Sequence, residues 1–330
     1  LLYFPWALVL QPLLSVFAQT QNRFAISPVP RFTRIDGPGV STQLAESGWA
    51  GIVVVMSSST VLRVAAVQLQ SQDNVSANLK ACESSIAEAS AQGAKFIVLP
   101  ENFAYFGASN GKRSSAESLD GPAGPIRSAL VQLALRYDVA LLAGGWPELS
   151  GDLKRPFNTA TVYAPNGAAL ASYRKIHLFD VTLPSGDQLQ ESSAMTAGQE
   201  VVCCDVLGLR VGLSICYDVR FPELYRKLTD RGCEVICVPS AFTKETGQDH
   251  WHTLLRTRAI ESQCWVVAAN QCGTHPTDKT TYGHSLIIDP WGNIRAEAEP
   301  GPGVIVADLD MQLLRKVRKS LPSLRHRRIL

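Results

Sequence analysis

From Leu62 onward the hydrophobic positions follow two alternating rhythms. Residues 62–70 are an almost unbroken apolar run, which reads as a strand buried on both faces. Behind it Val75, Leu79, Cys82, Ile86 and Ala89 recur at steps of four and three, the mark of an amphipathic helix. Asp73 or Asn74 can cap that helix and Gly93 can end it. A second strand, 96–99, is closed by Pro100, and a helix marked by Ile126, Leu130 and Leu133 leads into a strand at 139–143. Segments 158–164 and 168–173 flank Asn166-Gly167, a hairpin signal. Further strands are expected at 265–269, 285–288 and 304–307, with a turn at Asp289-Pro290-Trp291-Gly292.

An internal echo organises these elements. Leu62-Arg63-Val64-Ala65 is answered by Leu209-Arg210-Val211-Gly212. Residues 93–103 (Gly-Ala-Lys-Phe-Ile-Val-Leu-Pro-Glu-Asn-Phe) are answered by 232–242 (Gly-Cys-Glu-Val-Ile-Cys-Val-Pro-Ser-Ala-Phe). Both halves read strand, helix, strand, Pro-x-x-Phe. Two similar βαβ-containing halves predict an α/β fold, a four-layer αββα sandwich with two sheets face to face and helices outside.

Composition narrows the classes. The chain has 330 residues, 46% hydrophobic and 18% charged, enough apolar content for a packed core and too much for disorder. The net charge of +2 is unevenly placed: the last twenty residues hold seven Lys or Arg and no carboxylate, so the body is mildly acidic. That argues against a nucleic-acid partner, which selects for a basic face. The basic tail reads as an amphipathic helix with Leu313, Leu314 and Val317 inward, followed by a strand-like arm. Residues 1–60 read as an N-terminal extension before a domain at 61–330. The extension is a signal sequence ending near Ala18, an organelle-targeting segment using Arg23, Arg31 and Arg34, or sequence upstream of a start at Met56. The third reading implies a cytoplasmic protein and the second a mitochondrial or plastid one. The mature domain is expected to need no membrane. Eight cysteines without a CxxC pair read as small core hydrophobes, not as a disulfide framework. Zinc would want paired ligands, and only Cys233/Cys237 and His250/His252 approach that. Neither pair has a convincing second half, so no metal and no cofactor are expected.

Reactive side chains collect beyond strand ends, where layered α/β proteins hold their sites. Glu101 follows one strand and Lys175 another, and Cys216 stands at a strand-to-helix turn before Tyr217-Asp218. Backbone amides at such a turn can depress a thiol pKa. Thiol, carboxylate and ammonium make a coherent nucleophilic site. Cys216 attacks a carbonyl or nitrile carbon, and Glu101 takes and returns the proton. Lys175 then stabilises the oxyanion beside the amide of Tyr217. A Cys-His arrangement through His177 or His250 ranks lower.

Leu-Pro-Glu-Asn-Phe (99–103), Tyr-Arg-Lys-Ile-His-Leu-Phe-Asp (173–180) and Cys-Tyr-Asp-Val-Arg-Phe-Pro-Glu-Leu (216–224) resemble the nitrilase superfamily of carbon–nitrogen hydrolases. The resemblance spans about 62–328. It implies the αββα sandwich, a homodimer or higher homo-oligomer, and a Glu101–Lys175–Cys216 triad working without cofactor through a thioester. Gln-Glu-Ser at 190–192 resembles the family's second glutamate, which makes Glu191 the group that orients Lys175 and substrate. Residues 239–247 and 254–264 resemble the branch of deaminated glutathione amidases, which release 2-oxoglutarate and cysteinylglycine from a small-molecule amide. A sister branch, ω-amidase, acts on 2-oxoglutaramate, and loss of a triad member would leave a non-catalytic binding protein. His252 departs from the branch, which usually has Glu after His-Trp. Substrates of either branch carry a carboxylate, for which Arg220 is the candidate cation. Phe103, Tyr105 and Phe242 are the candidate pocket walls.

Overall fold

The computed structural model describes residues 61–276 and 278–329, together with the backbone of 32–37 and 40–45. The chain divides into two compact units, Leu1–Ser58 and Ser59–Leu330. In the first, β1 (Phe32–Gly37) and β2 (Val40–Ala45) pair as an antiparallel hairpin. The reading of 1–60 as a targeting or upstream segment otherwise falls outside the described residues.

The larger unit begins with β3 (Val61–Gln68), α1 (Val75–Ala91), β4 (Phe96–Val98), α2 (Ser109–Ser114) and α3 (Pro125–Tyr137). β5 (Ala140–Glu148), β6 (Phe157–Tyr163) and β7 (Ala169–Arg174) follow. A small hairpin, β8 (Asp180–Thr182) and β9 (Gln188–Gln190), leads to β10 (Cys203–Val206) and β11 (Leu209–Leu213). Next come α4 (Pro222–Asp230), β12 (Val235–Cys237), α5 (Lys244–Ser262) and β13 (Trp265–Ala268). The chain continues through β14 (Cys272–Thr274), β15 (Thr280–Tyr282), β16 (Leu286–Ile288) and β17 (Ile294–Glu297). It closes with β18 (Gly303–Asp310) and α6 (Met311–Ser320).

Two six-stranded sheets result, ordered β18-β3-β4-β5-β6-β7 and β10-β11-β12-β13-β16-β17. In each, three parallel strands (β3-β4-β5 and β11-β12-β13) are flanked by antiparallel neighbours. The sequence echo is therefore a duplicated strand order. One asymmetry stands out: β18, from the far end of the chain, supplies the outer strand of the first sheet.

Strand periodicity assigns the layers. Val64, Ala66, Phe96, Val98, Ala140 and Leu142 point into a cluster shared with the second sheet. Their alternates Ala65, Val67, Ile97, Leu99, Leu141 and Ala143 meet α1 and α3 through Cys82, Ile86, Leu130 and Ala134. On the far side α4 and α5 cover the second sheet with Leu224, Leu228, Trp251 and Leu255. This is the expected αββα order, and each fully buried aliphatic contributes about 1.5–3 kcal/mol. Asn74 caps α1, its side chain accepting the Ala77 amide at 3.0 Å, and Gly93 follows the helix at φ 84°. Asn166-Gly167 forms the β6–β7 hairpin, with Gly167 at φ 79°.

The basic tail packs against the body. α6 buries Met311, Leu314 and Val317, with Leu313 only partly covered, and Arg318 donates to the carbonyls of Gln263 and Cys233. The arm after it is a short 3-10 turn, Ser323–His326, not the expected strand: Pro322 opens it and the turn is closed locally, Arg325 N–H donating to Pro322 O at 3.0 Å. No helix among the described residues is long and apolar enough to cross a membrane.

Candidate active site

Glu101, Lys175 and Cys216 follow the carboxyl ends of β4, β7 and β11, and the sandwich brings all three into one cavity of about 810 Å³. The loop after β4 is held open by conformation. Asn102 sits at φ 60°, a region asparagine tolerates, and its N–H donates to Gly145 O at 2.7 Å. Gly145 is at φ 47°, and a Cβ there would lie 2.7 Å from both Glu101 Cγ and Asn158 Oδ1. Only glycine leaves room for the carboxylate.

Glu101 is buried and fully engaged. Its Oε1 accepts from Lys175 Nζ at 2.9 Å and Asn158 Nδ2 at 2.7 Å, and its Oε2 accepts from the Ala241 amide at 2.9 Å. Lys175, 2% exposed, also donates to Glu191 Oε2 at 2.8 Å. Glu191 is fixed in turn by the Phe179 amide at 2.8 Å and by Asn158 Nδ2 at 3.3 Å. Burial works against the charge on Lys175, but Glu101, Glu191 and Cys216 overcome it and lift its pKa well above the ordinary lysine value. Burial likewise opposes ionisation of Glu191, yet Lys175 prevails and its carboxyl is held below the usual range. An ammonium has three N–H donors. Nζ meets Glu101 Oε1 and both oxygens of Glu191, at 3.2 and 2.8 Å, so the N–H on the longer Glu191 contact is the one an incoming oxygen can draw away.

Cys216 sits in the left-handed region at φ 47°, its N–H donating to Pro239 O at 2.9 Å. A non-glycine residue held there marks a turn determined by its surroundings. Here Asp218 supplies the hold. Its Oδ2 accepts from the Ile215 amide at 2.8 Å and the Tyr173 hydroxyl at 2.7 Å. Its Oδ1 accepts from the His177 amide at 3.1 Å and faces His177 Nδ1 at 2.7 Å. Tyr173 and His177 bracket Lys175, so one buried carboxylate ties the nucleophile turn to the lysine strand. Burial, and then Glu101, push the Cys216 thiol well above its ordinary pKa, while Lys175 and the Ala241 amide pull the other way. The amide effect expected at the turn is outweighed.

The expected pocket residues fare differently. Phe103 is fully buried beneath the first sheet among the α1 and α3 side chains, because the Phe of Pro-x-x-Phe anchors the loop to the core. Phe242 does the same in the other half, packing on the Trp251 ring at 5.0 Å. Tyr105 supports α2 from behind: a Cβ on Gly111 would stand 1.8 Å from its hydroxyl. Tyr217 turns its ring to Phe179 and Phe221. Arg220 lies 5.2 Å over the Phe242 ring, meets His250 Nδ1 at 3.2 Å and is not among the residues that line the cavity. His252 does not line the cavity either. The walls come instead from Phe106, Phe179 and Met195, and the cations besides Lys175 from Lys112, Lys244 and Lys279. Lys112 is half-buried, its ammonium has no hydrogen-bond or ion-pair partner among the described residues, and burial lowers its pKa.

The profile of the carbon-nitrogen hydrolases matches residues 63–319. The chain belongs to that family. A carbon–nitrogen hydrolase of Synechocystis named deaminated glutathione amidase is 46% identical over 267 residues, covering 80% of this chain and 97% of that protein. Human omega-amidase NIT2 is 35% identical over 269 residues, covering 82% of this chain and 96% of its own. The crystal structure of the C. elegans NitFhit protein superposes with a TM-score of 0.76 at 35% identity, over 81% of this chain; the chain spans 65% of that protein. As a carbon–nitrogen hydrolase, this protein is an enzyme acting on non-peptide amide-type bonds.

Proposed function

We propose that the chain is a thiol amidase that hydrolyses deaminated glutathione to 2-oxoglutarate and cysteinylglycine. The observation that carries this is the buried Lys175 shared by Glu101 and Glu191, with Cys216 lining the same cavity. Glu101 takes the thiol proton as sulfur attacks the amide carbon. The oxygen left negative meets Lys175 Nζ. Glu101 returns the proton to the leaving amine, and a thioester remains on Cys216. Water, deprotonated by Glu101, then releases the acid. Glu191 and Asn158 hold the lysine and the base at fixed angles, and Asp218 positions the nucleophile turn.

The substrate assignment is supported by the cavity's cations and by the name of the Synechocystis relative. Deaminated glutathione carries a carboxylate at each end, and the cavity offers Lys112, Lys244 and Lys279. The human relative favours a second reading, 2-oxoglutaramate, with one carboxylate. Incubation with deaminated glutathione should release cysteinylglycine, and Cys216→Ala should lower the rate on the order of 10⁴-fold or more. An Ala variant as fast as the parent contradicts the mechanism. A kcat/KM higher for 2-oxoglutaramate than for deaminated glutathione assigns the second substrate and leaves the mechanism intact. The family resemblance supports a homodimer, which light scattering after size-exclusion chromatography checks.

A further inference from the structure

His252, the residue that departs from the resembling branch, has a place of its own. On the second-sheet side, α5 carries His252 past the strands, where it meets His284 and Glu297. Glu297 Oε1 lies 2.9 Å from His252 Nε2 and 2.8 Å from His284 Nδ1, and the three ligand-type atoms all fall within 4.8 Å of one another. The short-spaced pair expected to fail for want of a second half, His250/His252, is thus split. His250 turns to Arg220, and His252 finds its second half across the fold.

The constellation is built in advance. His284 sits at φ 53° directly after Gly283 at φ 73°, two consecutive left-handed residues. For histidine that conformation is uncommon and persists only where the surroundings impose it. They do so from three sides. Trp251 Nε1 donates to His284 O at 2.7 Å, Asn270 Nδ2 to Gly283 O at 2.6 Å, and Ser285 N–H to Gln68 Oε1 at 2.9 Å. The Tyr282 ring stacks on the imidazole at 4.5 Å, and the Ala298 amide donates to Ser285 O at 2.9 Å, fixing the end of β17 beside Glu297. The side chains of His252, His284 and Glu297 are 31%, 32% and 37% exposed, so solvent reaches the open side.

We propose that His252, His284 and Glu297 form a binding site for a divalent transition-metal ion of the zinc type. Two imidazole nitrogens and one carboxylate oxygen are a donor set that zinc takes with water in the fourth position, at about 2.0–2.2 Å per ligand. In the metal-free arrangement each imidazole presents an N–H to the same oxygen. On binding, each of those N–H protons passes to the other nitrogen of its ring, and the ion takes the freed lone pairs. The ligand atoms then rearrange from a shared oxygen to the corners of a tetrahedron. The site joins α5 to β17 and lies apart from the cavity lining, so it is independent of the proposed amidase chemistry.

Cobalt(II) titration of the full chain tests this, with Cys216→Ala so that the reactive thiol cannot act as a ligand. One equivalent should bind with ligand-field bands, with no thiolate-to-metal charge-transfer band, and zinc should displace it. His284→Asn keeps a residue that tolerates the left-handed backbone, and His252→Gln keeps a polar helix surface. Each should weaken binding by about tenfold or more, with unchanged circular dichroism. Should His284→Asn lose its fold, His252→Gln alone carries the comparison. No saturation below about 1 mM, a charge-transfer band as the only signal, or an affinity unchanged in the folded variants would overturn the proposal.

Discussion

The two halves of the sandwich carry the same loop and different chemistry. After β4 the chain reads Pro100-Glu101-Asn102-Phe103, and after β12 it reads Pro239-Ser240-Ala241-Phe242. In both, the phenylalanine is buried and holds the loop to the core. Between these anchors the halves diverge. The first presents a carboxylate, whereas the second presents a backbone amide, Ala241 N–H, which donates to that carboxylate. The next pair of strand ends reverses the assignment: β11 runs on to Cys216, where β3 runs on to Leu69. Duplication thus supplied two equivalent frames, and the site needs both of them. Neither half holds both Glu101 and Cys216.

Exchanging residues between the halves is the sharpest way to break this comparison. Glu101→Ser gives the first loop the residue of the second, and the amidase rate should fall about 10²–10⁴-fold. Adding Ser240→Glu should restore nothing, since Ser240 is fully buried and its hydroxyl turns to Val238 O. Steady-state kinetics on the two variants check this, and a rate within tenfold of the parent would remove Glu101 from the mechanism.

Lys112 and Arg220 make a second contrast, between a cation inside the cavity and one beside it. Lys112→Ala should raise KM by about 10–100-fold with kcat little changed, the size expected for one charged hydrogen bond to a carboxylate. Arg220→Ala should leave KM within a few-fold. A reversed pattern would return the carboxylate site to Arg220.

Smaller effects follow from the support of the first loop and from its charges. Gly145→Ala places a methyl against Glu101 and Asn158 in an unfavourable conformation, so kcat should drop about tenfold with a modest loss of Tm. The lowered Glu191 pKa adds stability that is complete above its unfolded value of about 4.3 and is lost as pH falls through its folded value. The raised Lys175 pKa adds stability complete below about 10.4 and lost as pH climbs through its higher folded value. Tm should hold between those limits, and Glu191→Gln should flatten its acid limb.

Much of the fold was legible because duplication repeats a signal. Strand runs at 62 and 209, and Pro-x-x-Phe at 100 and 239, named the layers before any contact was known. Glu101 and Cys216 were legible because each follows an apolar run, and Lys175 because Tyr-Arg-Lys-Ile-His at 173–177 resembles the family's motif. The cavity walls were not. Lys112 lies in the polar stretch Asn110-Gly111-Lys112-Arg113, which has no hydrophobic period, and it matters only because Tyr105 props α2 from behind. Phe103, Tyr105 and Phe242 misled because an aromatic near a reactive residue reads the same whether it faces substrate or core. Asn158 and Asp218 act through hydrogen bonds spanning 57 and 45 residues, to Glu101 and from Tyr173 respectively, and no local pattern encodes such distances.

The central claim is that Cys216 carries the acyl group between the two halves of the reaction. Rapid acid quenching of the enzyme with deaminated glutathione, followed by mass analysis of the peptide containing Cys216, tests it directly. The account predicts a 2-oxoglutaryl adduct on that cysteine, formed with one equivalent of cysteinylglycine. Turnover that proceeds undiminished in Cys216→Ala, with no adduct on the parent's Cys216, would contradict it.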